Sequence, residues 1–495
     1  MRGCRFYKLL LFFCCLLFGV STMAQQKLVN APKIAPALLI KDLQTLHQVL
    51  HENHPSVYWY TPKDSMDLHF SRALASVKDS MSAWQFRNVV ATYLANIKCG
   101  HTSVYFSPKL TKQYTRYRFP QFPLQLKVWK DSAVVIGNLY TKDSLLKRGT
   151  IVTGINHLPV SVLVDSMYRI ISTDGNSINF KSQVLTNGFS SWYKARFGNQ
   201  DSVYQISYID SLGNKQTTQI AAYAPPKPKK DSLKTTTDTA SKSKSIKPVS
   251  VKKWTLLIDS ATSTAFMNLS SFSGKGFKKF ITKSFRNIKV SGVKNLVIDL
   301  RSNGGGEIKN STLLTKYVSD HSFKIADSVF ANNRGVRKIP FGSYFSVMGH
   351  AIAKLMISKK MDGGGYHLKR YETHYYQPFT KNHFDGNVYI LQGGYTFSAS
   401  TLFTSPLINQ NNVTIIGEET GGGFYGNSAI LIPTIKLPNS KLLFRLPLYR
   451  MVMDKTRPKG RGVVPDILVE PNSYAIKLGI DNKLEAVKKL IQQKN

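Results

Sequence analysis

The stretch GGYTFSAST, Gly393 to Thr401, sets Ser398 after one apolar run and just before another that reads as a helix. A hydroxyl at a helix start lies beside free backbone N–H groups and the positive end of the helix dipole. Ser398 is therefore either a cap or an acyl-transfer nucleophile, with the Ala399 amide as the natural oxyanion donor. A second feature is RSNGGGE, which places Gly304, Gly305 and Gly306 at the end of the run NLVIDL. Glycines let backbone amides approach a ligand closely and point the same way, as an oxyanion hole requires. A tight turn is the plain alternative. A serine nucleophile also needs a base. Of the eleven histidines, His101 stands apart because it sits in a Gly-His-Thr turn between a well-formed helical pattern and the strand-like TSVYF. Spacing alone does not join it to Ser398.

Three rival motifs are weaker. GGGFYG, Gly421 to Gly426, fits a dinucleotide-binding pattern and follows VTIIG, but NSAILIPTI after it reads as a strand where such a site needs a helix. His47, His51 and His54 share one helix and invite zinc, yet no HExxH order or further ligand accompanies them. Gly394-Tyr-Thr-Phe-Ser398 is not a GxSxG elbow, which argues against an α/β-hydrolase.

The elements that would position these groups follow from periodicity. Leu39, Leu43, Leu46 and Leu50 predict an amphipathic helix from Pro36 to about His51. Ser82 and Gln85 form a capping box that opens a second, with Phe86, Val89, Val90, Tyr93 and Leu94 as its buried stripe, ending at Cys99-Gly100. From about Arg118 to Ala222 short alternating runs suggest a small β-rich module. Residues 225–253 are Lys-rich with scarcely an apolar side chain, and read as a disordered tether. Beyond Trp254, to about Gln492, strands and helices alternate; NLVIDL, NVYIL and VTIIG are continuous apolar runs of the kind covered on both faces of a mainly parallel sheet.

The chain of 495 residues carries 67 Lys and Arg against 28 Asp and Glu. Its first residues place Arg2, Arg5 and Lys8 before an apolar stretch from Leu9 to Val20, which predicts a secretory signal peptide cleaved after Ala24. Such a leader would direct the protein across the inner membrane to a periplasmic or extracellular location, and no later segment approaches spanning length. Its removal leaves Cys99 as the sole cysteine and excludes an intramolecular disulfide. The net charge of +39 falls to +36 without the three leader cations and draws the protein towards polyanions. The cations are scattered and secretion keeps the chain from DNA, so an anionic envelope surface is the expected partner and nucleic acid is not.

Taken together, HENHPSVYW (51–59), IKCGHT (97–102), GTIVTGINHLPV (149–160), VIDLRSNGGG (297–306), TFSAS (396–400), IIGEETGG (415–422) and GRGVVPDI (460–467) resemble, in order, the tail-specific or C-terminal processing serine proteases, and their tricorn-like branch in particular. The resemblance implies a ClpP/crotonase-like α/β core at 254–492, an N-terminal helical domain at 25–117 and a PDZ-like module at 118–224. It also implies cleavage of peptide or protein substrates without metal or other cofactor. Residue by residue, Ser398 matches the nucleophile and His101 the general base. The Ala399 amide, with one from Gly304 or Gly305, matches the oxyanion hole. Where a Ser/Lys dyad would carry its lysine this chain has Gly423. Where tricorn-like enzymes have a serine before the histidine and a glutamate ahead of GV-PD, it has Gly100 and Lys459. The acid that orients His101 is left open among Glu418, Glu419 and Asp454. Because that acid is unassigned, a peptide- or hydrophobic-ligand-binding protein on the same scaffold stands as the second reading.

Overall fold

In a computed structural model the described residues are 32–494 apart from 116–119, 130–131, 199–200, 225–252 and 362–363. The expected leader and nearly all of the expected Lys-rich tether lie outside them. Three N-terminal helices, α1 (Pro36–Asn53), α2 (Lys63–Ala75) and α3 (Ala83–Ala95), form the cap. Helix α1 buries the four leucines of its stripe. At the start of α3 both arms of the capping box are made, Gln85 N–H to Ser82 Oγ at 3.3 Å and Ser82 N–H to Gln85 Oε1 at 2.9 Å.

An antiparallel sheet of strands between Leu124 and Ala221 follows, with helices α4 (Val160–Tyr168) and α5 (Ile178–Phe197) packed on it. Its own cluster of buried residues, Leu126, Val135, Val152, Ile206 and Leu185 among them, marks it as a separate packing unit.

The core sheet contains β1 (Trp254–Asp259), β2 (Thr264–Leu269), β3 (Asn295–Asp299), β4 (Asn387–Gln392), β5 (Val413–Gly417) and β6 (Ile467–Leu468), in that spatial order. Strands β1 and β2 are antiparallel and every other neighbour is parallel. The continuous apolar runs have a direct cause. Alternate residues face opposite sides of the sheet: Leu296, Ile298, Val388 and Ile390 pack with helix α6 (Phe277–Ser291) and helix α7 (Ile308–Val318). Val297, Tyr389 and Leu391 pack against the C-terminal helix (Asn482–Lys494) on the other side. The α/β class expected from the sequence is the class observed.

The cap is not an independent layer. Its leucines share one hydrophobic cluster with Phe444, Tyr449 and Met451 from the far end of the chain. The strand Val104–Tyr105, just after His101, pairs with Leu443–Arg445. Asp42, buried on α1, accepts the N–H groups of Asn439 at 2.9 Å and Ser440 at 2.7 Å and the Asn439 side-chain amide at 2.9 Å. Replacing Asp42 by Ala strands those donors away from water, so urea unfolding should show a loss of about 2–4 kcal/mol. A loss below about 0.5 kcal/mol would contradict this view of the cap-to-core joint.

Candidate active site

Ser398 stands between β4 and the short helix α8 (Ala399–Thr404), at φ 56° and ψ −119°. Residues with a Cβ seldom adopt positive φ, and the strain concentrates where geometry is imposed from outside. Here Asn303 imposes it. Its carbonyl accepts from Phe397 N–H at 3.2 Å and Ser400 Oγ at 3.0 Å, on either side of Ser398. The Asn303 side chain is itself held by Leu269 O and by the Gly305 amide. The Ser398 side chain caps no amide of α8. Its hydroxyl instead lies 3.0 Å from His101 Nε2, across 297 residues of sequence.

The glycine turn packs directly beneath this hydroxyl. A Cβ at Gly305 would lie 2.7 Å from Ser398 Cβ and from Phe397 O. Since the Gly305 amide donates to Asn303 Oδ1 at 2.9 Å, it serves the turn rather than an oxyanion. The amides of Gly304 and Ala399 take part in no hydrogen bond among the described residues. Ala399 is the first residue of α8, where no intrahelical acceptor exists.

The group facing the other side of His101 was not legible in the sequence. Among the described residues, His101 Nδ1 and Asp174 Oδ2 are both buried and both lack a hydrogen-bond partner. One ring nitrogen of His101, an Asp174 carboxylate oxygen and Cys99 Sγ lie within 4.8 Å of one another. Asp174 Oδ1 accepts the Gly100 N–H at 2.8 Å, which ties the carboxylate to the residue preceding His101. Its loop is fastened on both sides: Gly175 N–H reaches Lys98 O and Asn176 N–H reaches Gly460 O, each at 3.0 Å. In sequence STDGNS looks like an ordinary Asp-Gly turn ahead of a helix cap, and Ser177 does cap α5. Only the fold reveals that the turn is inserted between the cap and the core.

The three acids left open as partners of His101 are engaged elsewhere. Glu418 pairs with Lys483. Glu419 takes Arg461 at 2.7 Å and the Gly462 amide at 2.8 Å, and Asp454 takes Arg457 at 2.7 Å. Lys459, at the position of the missing glutamate, donates to Trp59 O at 2.6 Å. Gly423, which replaces the dyad lysine, is enforced by space, because a Cβ there would lie 2.4 Å from Gly426 O. The zinc reading of the N-terminal histidines also gives way. His47 and His51 bond the hydroxyls of Tyr93 and Tyr58, and His54 is buried between Thr102 Oγ1 and the Ser56 amide.

Burial sets the protonation states. It lowers His101 to about 3, with Arg445 and His54 adding repulsion, so the ring is neutral at physiological pH and can accept a proton. Burial raises the Asp174 carboxyl to about 7 despite the bonds from the Gly100 and Gly423 amides. The Cys99 thiol is pushed up to about 12 by the same cause; a buried, protonated thiol is a poor nucleophile and a poor metal ligand. The His101 ring rests against Phe397 at 4.8 Å between centroids, and Phe397 stacks on Phe180 of α5 at 4.7 Å. The β-rich module thus sends both a carboxylate and an aromatic buttress into a site whose other parts come from the cap and core. Ser398 and His101 open onto a cleft of about 420 Å³ with apolar walls, including Ile308, Leu402 and Leu431, and with Arg445 lining it. An imidazole poised to take a hydroxyl proton, beside two free amides, is an arrangement suited to acyl transfer.

Residues 263–469, most of the α/β core, match the family model of peptidase family S41. No curated protein sequence matches the chain significantly. Among solved structures the chain is similar to mature CPAF, with a TM-score of 0.63 at 13% identity, over 92% of this chain and 97% of that one. A weaker likeness is to a putative peptidase from Parabacteroides merdae, with a TM-score of 0.45 at 14% identity over 92% and 97% of the two chains. Another is to the photosystem II D1 C-terminal processing protease, with a TM-score of 0.41 at 14% identity over 89% and 95%. The likeness to CPAF shows a shared fold along nearly the whole chain, and the match to peptidase family S41 is confined to residues 263–469 of the core.

Proposed function

We propose that the protein is a serine peptidase of the tricorn-like kind, acting outside the cytoplasm, in which Ser398, His101 and Asp174 work as one unit. The observation that carries this is the 3.0 Å contact between Ser398 Oγ and His101 Nε2, with an unpartnered carboxylate oxygen and ring nitrogen buried behind it. His101 takes the Ser398 proton as the hydroxyl attacks a peptide carbonyl; the Gly304 and Ala399 amides hold the oxyanion. The imidazolium then protonates the departing amine, and water, deprotonated by the same ring, releases the acyl group. Asp174 orients the ring through Nδ1 and stabilises its charged form. The apolar cleft suits a hydrophobic substrate side chain, and Arg445 beside it suits a substrate carboxylate. A ligand-binding role on the same scaffold was kept open because no acid was assigned to His101; the nearness of Asp174 to the ring favours the peptidase reading over it.

Replacing Asp174 with Asn keeps an acceptor for the Gly100 amide but removes the charge. For a peptide substrate kcat/KM should fall by about 10²–10⁴, the loss expected when the acid of a serine triad becomes an amide. The pH profile supplies a readout that a merely structural role would not move. Burial holds His101 well below its ordinary value and the Asp174 carboxyl up at about 7, so the pair should give an acidic limb in which the wild-type rate climbs as pH rises through about 7, and removing the Asp174 carboxyl should remove that limb. A D174N protein with an unchanged limb would exclude this role.

A further inference from the structure

The residues from Phe341 to Ile357 form a 3₁₀ turn (Phe341–Ser343) running into the helix Tyr344–Ile357. Its solvent-facing side is apolar. Phe341, Phe345 and Met356 are 88%, 92% and 81% exposed, and Met348 and Ile352 between them are also exposed. Spacings of four, three, four and four put these side chains on one outward stripe. The helix is seated inward by Val347 and Ala351, which pack on the core, and by Lys354, fully buried, which donates to Asn333 Oδ1 at 3.2 Å and Gly335 O at 3.1 Å. Two serines hold the helix in this orientation. Ser346 Oγ donates to Thr434 O at 2.7 Å, and Ser343 Oγ accepts the Lys436 amide at 2.7 Å. The apolar stripe is therefore presented by a fixed helix, and an exposed patch of this kind marks a binding surface.

The charge around the stripe selects the occupant. From Ser328 to Met361 there is no Asp or Glu. Arg334, Arg337 and Lys338 are exposed before the helix, and Lys359 and Lys360 after it. A second copy of the chain would bring these cations against their own like, in a protein already at +39. An anionic lipid surface offers both an apolar phase for the stripe and counter-charge for its rim. The helix is too short to cross a bilayer, and no helix among the described residues is long and apolar enough to do so.

We propose that this face seats the protein on the surface of an anionic lipid bilayer, with the apolar stripe immersed at the headgroup boundary. The general pull of a basic chain towards polyanions thereby acquires a specific contact, and the proposal stands whether or not the peptidase reading does.

The test is sedimentation of the chain beginning at Gln25 with phosphatidylcholine vesicles, with and without about a third phosphatidylglycerol. Binding should favour the anionic vesicles at least tenfold and weaken with salt. The double variant Phe345→Asp, Met356→Asp changes only outward side chains, so it should remain monodisperse with an unchanged melting temperature and lose at least tenfold in binding. Lys359→Glu, Lys360→Glu should reduce the anionic preference by about fivefold or more per charge. As an independent readout, Phe345→Trp should give a blue-shifted emission on anionic vesicles alone. Equal binding by wild type and the Asp double variant would overturn the proposal. So would a wild-type dimer that this variant dissociates, with no vesicle binding by either, which would identify a second copy as the occupant.

Discussion

Peptide hydrolysis by Ser398→Ala should fall by about 10⁴ or more in kcat, leaving only what binding and the oxyanion amides supply. The size of the loss follows from the proposed mechanism, in which the hydroxyl is the one group that forms the acyl bond. The specificity of the test follows from what Ser398 does not do. Its side chain caps no helix amide, and its contact with His101 is the one side-chain hydrogen bond found for it among the described residues. The positive φ is retained by alanine, so stability should change by no more than about 0.5 kcal/mol. Adding His101→Ala to this variant should cost little further activity, since residues of one catalytic unit are strongly non-additive. A double variant much slower than either single variant would mean that the two act separately.

Gly305→Ala should be the most damaging substitution outside the reacting groups. The residue sits at φ +103°, and the new methyl would meet Phe397 O and Ser398 Cβ at 2.7 Å and the Ala399 amide nitrogen at 3.0 Å. Two of the three obstacles are backbone atoms, which cannot rotate away as a side chain can. The turn must open or the start of α8 must retreat, and either moves the hydroxyl from His101 and the oxyanion donors from their place. A displacement near 1 Å is worth about a hundredfold in rate, so kcat/KM should drop by about 10²–10³. Gly349→Ala provides the control, because a Cβ there meets nothing within 4 Å. Both substitutions having the same small effect on kinetics would contradict the packing described for the glycine turn.

The sequence disclosed those parts of the protein whose signals are local. Four leucines and a capping box are enough to mark α1 and α3, because helix periodicity and end chemistry are written in adjacent residues. The runs NLVIDL and NVYIL announce strands covered on both faces for the same reason, and Ser398, Ala399, His101 and Gly304 sit in segments with recognisable chemistry of their own. What remained hidden is long-range. Asp174 is an acid in an Asp-Gly turn until the fold inserts that turn between cap and core, where Lys98 and Gly460 hold it. Glu418 and Glu419 lay closer to the expected motif, yet Lys483 and Arg461 engage them. The Gly305 amide was equally undecidable, because its capture by Asn303 depends on a side-chain rotamer. The outward stripe beginning at Phe341 could be read as a core face from periodicity, and only the burial of Val347 and Lys354 reveals which side faces the protein.

The groups of the proposed site come from three regions: His101 from the cap, Asp174 and Phe180 from the β-rich module, and Ser398 with the Gly304 and Ala399 amides from the α/β core. Such a site exists only when all three are docked. This accounts for the number of close glycine approaches between them, including Gly100 against Phe397 and Gly175 against Gly460.

Mapping the adduct left by a fluorophosphonate probe addresses the reactive unit most directly. Mass analysis of the treated protein should find a single phosphonylated residue, Ser398, in the wild type; none should form on Ser398→Ala, and formation on His101→Ala should be slowed by at least a hundredfold. A wild-type protein that stays unlabelled, or is labelled at another serine while Ser398 remains free, would contradict the account.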